Sequence, residues 1–189
     1  IEEITGVKMI DLVKKGLADL AIVTEPYELP TGFLAKVLRD IQEVPVCSTA
    51  FSLTTGSTLN DQQLEKYPLI GLGEQTGSFA FYSSFFHEMG LSFTPDIEAA
   101  TSDQILPMVK SDLGIGFVPT DFLEKENMEH LIILNMKPPI PSRNICMLKR
   151  KDMPLSIAAS ELEQLILKQE GKACPNKAKV AKEVTFPSI

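Results

Sequence analysis

Three short hydroxyl-bearing turns are the residues of this chain best suited to chemistry: Thr24, the run Thr76-Gly77-Ser78, and the pair Thr101-Ser102. Each stands where an apolar run, read as a buried strand, hands over to a loop or helix. The first amides of a helix lack intrahelical partners, and the aligned peptide dipoles place about half a positive charge there. Hydroxyls and bare amides at several such turns can together hold a small anion or another polar molecule. Gly77 lets backbone approach a ligand closely, and Thr76 and Ser78 can cap a helix while offering a hydroxyl outward. Such residues are also ordinary helix caps. Their recurrence at three strand C-termini is what singles them out.

Other chemistries find less support. Cys47 and His87 could pair as nucleophile and base, but Cys47 sits in an apolar strand context and His87 in an amphipathic helix ahead of Gly90. They read as a packed thiol and a solvated imidazole. Asp19, Asp96 and Asp103 stand near element ends, where turn or capping roles explain them. No catalytic residue is assigned, and no enzyme is expected. Neither a GxGxxG nor a Walker loop occurs, so no nucleotide cofactor is expected, and none of another kind. Cys47, Cys146 and Cys174 are far apart, with only His87 and His130 as nitrogen partners, so neither a metal site nor a disulfide scaffold is expected. Phe79, Phe81, Phe85 and Phe86 lie on one helix and read as core, not as a base-stacking platform. With 18 Lys+Arg against 25 Asp+Glu, the formal charge of -7 has the wrong sign for gripping a phosphate backbone.

The elements that must position these turns follow from periodicity. At 189 residues and 44% hydrophobic, the chain can build one large domain or two lobes. Val7, Ile10, Leu12 and Val13 recur at helical spacing up to Gly16, and Leu20 to Val23 form a continuous apolar run. With the extended stretch Ile1 to Thr5, these predict a crossover unit of a parallel sheet. Residues 33–49 read as one extended strand or a pair. Strands are predicted at 69–72, 97–100, 115–118, 131–134 and 144–148, and helices at 79–89, 102–111 and 155–169. In the last helix Ala158, Leu162, Leu165 and Ile166 form one stripe. Residues 171–189, rich in lysine, read as a flexible tail. No apolar run nears the roughly 20 residues that span a bilayer, so no membrane is expected as a partner. The opening at Ile1 leads us to expect further sequence upstream.

Three phrases in register resemble the effector-binding region of LysR-type transcriptional regulators. They are Gly16-Leu-Ala-Asp19-Leu-Ala-Ile-Val23, Phe86-His-Glu-Met-Gly-Leu91 and Val109-Lys-Ser-Asp-Leu-Gly114-Ile-Gly116-Phe-Val-Pro119, and the resemblance covers roughly residues 1–168. It implies an α/β fold of two Rossmann-like lobes joined by two crossover strands, like type 2 periplasmic binding proteins, with an effector in the cleft. Lobe I would comprise 1–47 plus 144–170, incomplete at its N-terminus, and lobe II 48–143, with crossings near Val44–Ser48 and Pro141–Asn144. Pocket positions of the family map onto Gly6, Thr24, Thr76, Gly77, Ser78, Thr101 and Ser102. The resemblance further implies a small-molecule effector, self-association as dimer or tetramer, and DNA binding only through a winged helix-turn-helix that this sequence does not contain. An extracellular solute-binding protein shares the lobes and is the alternative. The unpaired cysteines favour a cytoplasmic location.

Overall fold

In the computed structural model, which describes residues 6–54, 56–59, 64, 66–124, 126 and 128–173, the chain opens with helix α1 (Gly6–Lys14), whose buried side chains Ile10 and Val13 share one face. It stops at Gly16, where φ is +71° and the amide donates to the Val13 carbonyl. That is the left-handed glycine stop expected from the sequence. Strand β1 (Leu20–Thr24) follows, and its buried Ala21 and Val23 join Ile10 and Val13 in one apolar cluster with Phe33, Cys146 and Leu148.

The sheet around β1 is antiparallel among the described residues. β1 pairs antiparallel with β10 (Arg143–Arg150), which pairs antiparallel with β2 (Phe33–Ile41), so the described three-stranded sheet is β1-β10-β2 and contains no parallel pair. The stretch expected to lie parallel to β1, residues 1–5, falls outside the described residues.

The second sheet is mixed. Its order is β6-β5-β7-β3-β8, built from β3 (Glu43–Ser48), β5 (Leu69–Leu72), β6 (Ile97–Ala99), β7 (Ile115–Pro119) and β8 (Leu131–Ile133). β5 runs parallel to β6 and β7, and the connections are helices α2 (Gly77–Glu88) and α3 (Ser102–Lys110). A two-residue parallel pair, β4 (Thr58–Leu59) with β9 (Asn135–Met136), lies outside this sheet. Between β7 and β8 stand one turn of helix, α4 (Thr120–Leu123), and a 3-10 turn at Met128–His130.

Alternation along the strands sends side chains to two cores. Ile115 and Phe117 of β7 pack with Tyr82, Phe85, Phe86 and Phe93, whereas Val118 packs with Val46, Ile105 and Val109. Of the α2 phenylalanines, Phe85 and Phe86 are core, and the partly buried Phe79 and Phe81 pack against it. Tyr82 and Phe117 have ring centroids 4.8 Å apart, and Phe86 and Phe93 5.0 Å.

Residues 33–49 form a pair of strands belonging to different sheets. From Glu43 onward the chain bonds to β7 and β8, so the change of sheet falls at Gln42, ahead of the expected Val44–Ser48. Residues 43–47, expected with lobe I, therefore stand in the five-stranded sheet. Pro45 is tolerated in this central strand because pairing with β8 starts at Val46, and the Pro45 carbonyl accepts the Leu134 amide. The return passage immediately precedes Arg143, and Gln42 Nε2 donates to the Ile140 carbonyl at 2.8 Å, tying the two passages together. Two α/β lobes joined by two crossings make the type 2 periplasmic-binding-protein-like fold.

A separate unit begins at Leu155, and of it residues 155–173, with helix α5 (Ile157–Ala173), are described. The helix runs past Gly171, where a stop was expected; a lone glycine costs a helix only about 1 kcal/mol. The predicted stripe is largely solvent-facing, with Leu162 47% and Leu165 58% exposed. The rest of the expected tail, residues 174–189, lies outside the described residues. Among the described residues no helix is long and apolar enough to cross a membrane, and no group of three or more His, Cys, Asp or Glu could hold a metal ion.

Candidate functional site

The hydroxyl turns stand at the C-terminal ends of strands from both sheets. Thr24 ends β1, Thr76-Gly77-Ser78 open α2 after β5, and Thr101-Ser102 open α3 after β6. Gly6, at the start of α1, is placed so that a Cβ on it would lie 3.9 Å from Val23 Cγ1, beside the end of β1. Gly77 brings the start of α2 close to the end of β1. A Cβ there would stand 2.9 Å from the Pro26 carbonyl oxygen and 3.9 Å from that of Thr24, so only glycine lets α2 begin against the end of β1. Ser78 and Ser102, from different helices, line one cavity of about 20 Å³ together with Glu43 and Tyr82. That volume holds about one water molecule.

The two threonine caps differ. Thr101 takes the extended N-cap conformation of α3, yet its side chain makes no capping bond; Gln104 Oε1 instead accepts the Ala100 amide at 3.0 Å. Thr76 accepts the Phe79 amide at 3.1 Å and donates its only proton to the Gly73 carbonyl at 2.8 Å. The expected outward hydroxyl of Thr76 is thus spent on the local turn, and Thr76 is a cap. Thr76→Ala should lower unfolding stability by about 1 kcal/mol, read from urea denaturation. An unchanged midpoint would show that the cap contributes nothing.

Reasoning from sequence missed Arg143, which is only 5% exposed and reaches these turns from the start of β10. Its Nη2 donates to Glu43 Oε2 at 2.6 Å, and its Nη1 to the Glu25 carbonyl at 3.0 Å and Ser78 Oγ at 3.2 Å. The guanidinium also lies over the Phe81 ring, 4.5 Å from its centroid, a favourable cation–π placement. One buried cation therefore ties β10, the end of β1, the first residue of β3 and the first turn of α2.

Tyr82, one turn into α2 and 4% exposed, points its hydroxyl at the same region and makes no hydrogen bond there. Burial, and next the negative charge of Glu43, hold its pKa well above the ordinary tyrosine value, against a smaller opposing pull from Arg143. The phenol is therefore neutral and keeps its proton to donate. Cys47 is fully buried, and burial pushes its thiol up to about 11, which leaves no thiolate for nucleophilic chemistry at neutral pH. His87, as read from the sequence, is exposed. A larger cavity, about 590 Å³, lies at the opposite edge of the five-stranded sheet, beside Leu69, Phe86, Leu91 and Asp96, remote from the converging turns.

The family model described as LysR substrate binding domain matches residues 1–170. A search of the curated proteins gives no match. Among solved structures, the chain is similar to the CcmR regulatory domain of Synechocystis PCC6803 in complex with 2-PG, at 16% identity and TM-score 0.70, covering 85% of this chain and 77% of that one. It is also similar to the effector binding domain of QuiR in complex with shikimate, at 20% identity and TM-score 0.71, covering 89% and 79%. A third is an H2O2-bound OxyR mutant from Corynebacterium glutamicum, at 22% identity and TM-score 0.64, covering 86% of this chain and 52% of that one. The chain therefore spans about three quarters of the two domain structures and about half of the OxyR chain.

Proposed function

The chain belongs to the LysR substrate binding domain family, and from that premise we propose that it senses a small polar effector held at the edge where its two sheets meet. The observation that carries this reading is the convergence of Ser78 and Ser102, at the starts of two helices, on one cavity beside the end of β1. Ser102 and Thr101 offer hydroxyls from one lobe, and Thr24 ends β1 in the other, its carbonyl near Gly77. Gly6 and Gly77 bring helix starts close enough for amides to contribute. Arg143, paired with Glu43, ties these parts together through the Glu25 carbonyl and Ser78 Oγ. The CcmR domain in complex with 2-PG and the QuiR domain in complex with shikimate support a small-molecule effector.

In the same reading lobe I comprises the three-stranded sheet with α1, and lobe II the five-stranded sheet with α2 and α3. An effector bound between them selects one lobe arrangement from those already populated. The protein then acts on transcription without turnover, as a dimer or tetramer in the cytoplasm, and touches DNA only through a separate helix-turn-helix. The family match does not favour the solute-binding alternative.

The test is differential scanning fluorimetry against matched small acids and polyols, with Thr101→Val and Ser102→Ala as controls. A ligand present at 100 times its Kd stabilises by about 2.7 kcal/mol. In the double variant that shift should shrink by at least half. A full-sized shift in the double variant, or no shift from any compound in the parent, would refute this placement of the pocket.

A further inference from the structure

The small cavity between the first turns of α2 and α3 has a hydrogen-bonding pattern that selects among chemical groups. Tyr82 Oη is buried beside the Glu43 carboxylate, makes no hydrogen bond of ordinary geometry among the described residues and is neutral, so it presents a donor. Glu43, 6% exposed, gives Oε2 to Arg143 and has no hydrogen bond to Oε1 among the described residues, leaving an acceptor. Ser78 Oγ already accepts from Arg143. Ser102 is exposed and marks where the cavity meets solvent. The remaining walls, Ile70, Ile105 and Phe117 among them, are apolar.

Three groups can be weighed against this pattern. A carboxylate accepts from Tyr82 but brings its charge against Glu43. An ammonium donates to Glu43 but leaves the tyrosine proton without an acceptor, and it sits near the Arg143 cation. A hydroxyl donates to Glu43 and accepts from Tyr82, and one oxygen is all that about 20 Å³ admits. We infer that this cavity is a one-oxygen subsite that reads an alcohol hydroxyl on the effector, through Tyr82 and Glu43. The inference rests on the cleft reading above and narrows the ligand class to hydroxylated molecules. Discrimination of this kind is strong because the analogue lacking the hydroxyl leaves buried polar groups unpaired.

The experiment uses pairs that differ by one hydroxyl: lactate with propionate, malate with succinate, and threonine with 2-aminobutyrate. Affinities are measured by calorimetry on the parent, Tyr82→Phe and Ser102→Ala. Because Tyr82 Oη makes no hydrogen bond of ordinary geometry among the described residues, the phenylalanine variant keeps its packing against Phe93 and Phe117. In the parent the hydroxylated member of at least one pair should bind about ten-fold or more tightly. In Tyr82→Phe that preference should fall to within about two-fold, with the affinity of the deoxy partner unchanged. Binding that Ser102→Ala weakens but that shows no hydroxyl preference, or a preference that survives Tyr82→Phe, overturns the subsite and leaves the cleft reading standing. Binding by no member of any pair overturns both.

Discussion

Arg143→Met should destabilise the protein by about 3–5 kcal/mol, the usual cost of stranding one partner of a buried ion pair. The side chain is 5% exposed, and its removal leaves Glu43, 6% exposed, as an uncompensated buried carboxylate. It also removes the donors to the Glu25 carbonyl and Ser78 Oγ and the cation over Phe81. For a chain of this length, about 2–4 °C of melting temperature accompany each kcal/mol, so a fall of roughly 10 °C is expected. The double variant Arg143→Met with Glu43→Leu should recover much of the loss, because well-packed apolar residues often match or exceed a buried pair in stability. Thermal melts of both variants decide the matter. If the single variant melts within 1–2 °C of the parent, the pair is not what holds the passages together.

Gly116→Val should cost about 3 kcal/mol or more, at the upper end of what overpacking a core produces. A Cβ on Gly116 would stand 2.4 Å from Ile105 Cγ2 and 2.8 Å from Val109 Cγ2, both side chains of the α3 face that packs on β7. Neither end can yield without moving the helix off the sheet, and α3 carries Thr101 and Ser102 at its start. Urea denaturation of Gly116→Ala, Ile105→Ala and the pair forms a cycle. The pair should be less destabilised than the sum of the singles, because trimming Ile105 opens the space the new methyl needs. Strict additivity would mean that the approach of α3 to β7 does not set the cost. Effector response should fall in Gly116→Ala if the helix moves, giving a second readout of the same displacement.

Local patterns were legible without coordinates. The glycine stop of α1, the apolar run of β1, the two strand–helix units around α2 and α3, and the aromatic face of α2 all follow from spacing that short-range stereochemistry enforces. The placement of hydroxyl turns at strand ends was readable for the same reason. Pairing was not. Residues 33–48 look alike as β-formers from end to end, and nothing local marks Gln42 as the point where hydrogen bonds pass from one sheet to the other. Nor does the sequence near Leu20–Val23 say that its described neighbour, β10, comes from more than 100 residues later and runs antiparallel.

The site divides along the same line. Residue type alone made Thr24, Ser78, Thr101 and Ser102 candidates, but whether a hydroxyl is available depends on its geometry, and Thr76 turned out to be consumed by its own turn. Arg143, Glu43 and Tyr82 carry no local signature, since a lone charge beside a proline-rich connector or a tyrosine among phenylalanines is unremarkable by itself. They become a unit only when two passages between sheets are brought together and water is excluded. In that medium an unpaired charge or hydroxyl has consequences that it lacks in solvent. Sequence therefore determined which elements form and which ends bear polar groups. Tertiary structure decided which of those groups meet, because hydrogen bonding and burial depend on distances between segments far apart along the chain.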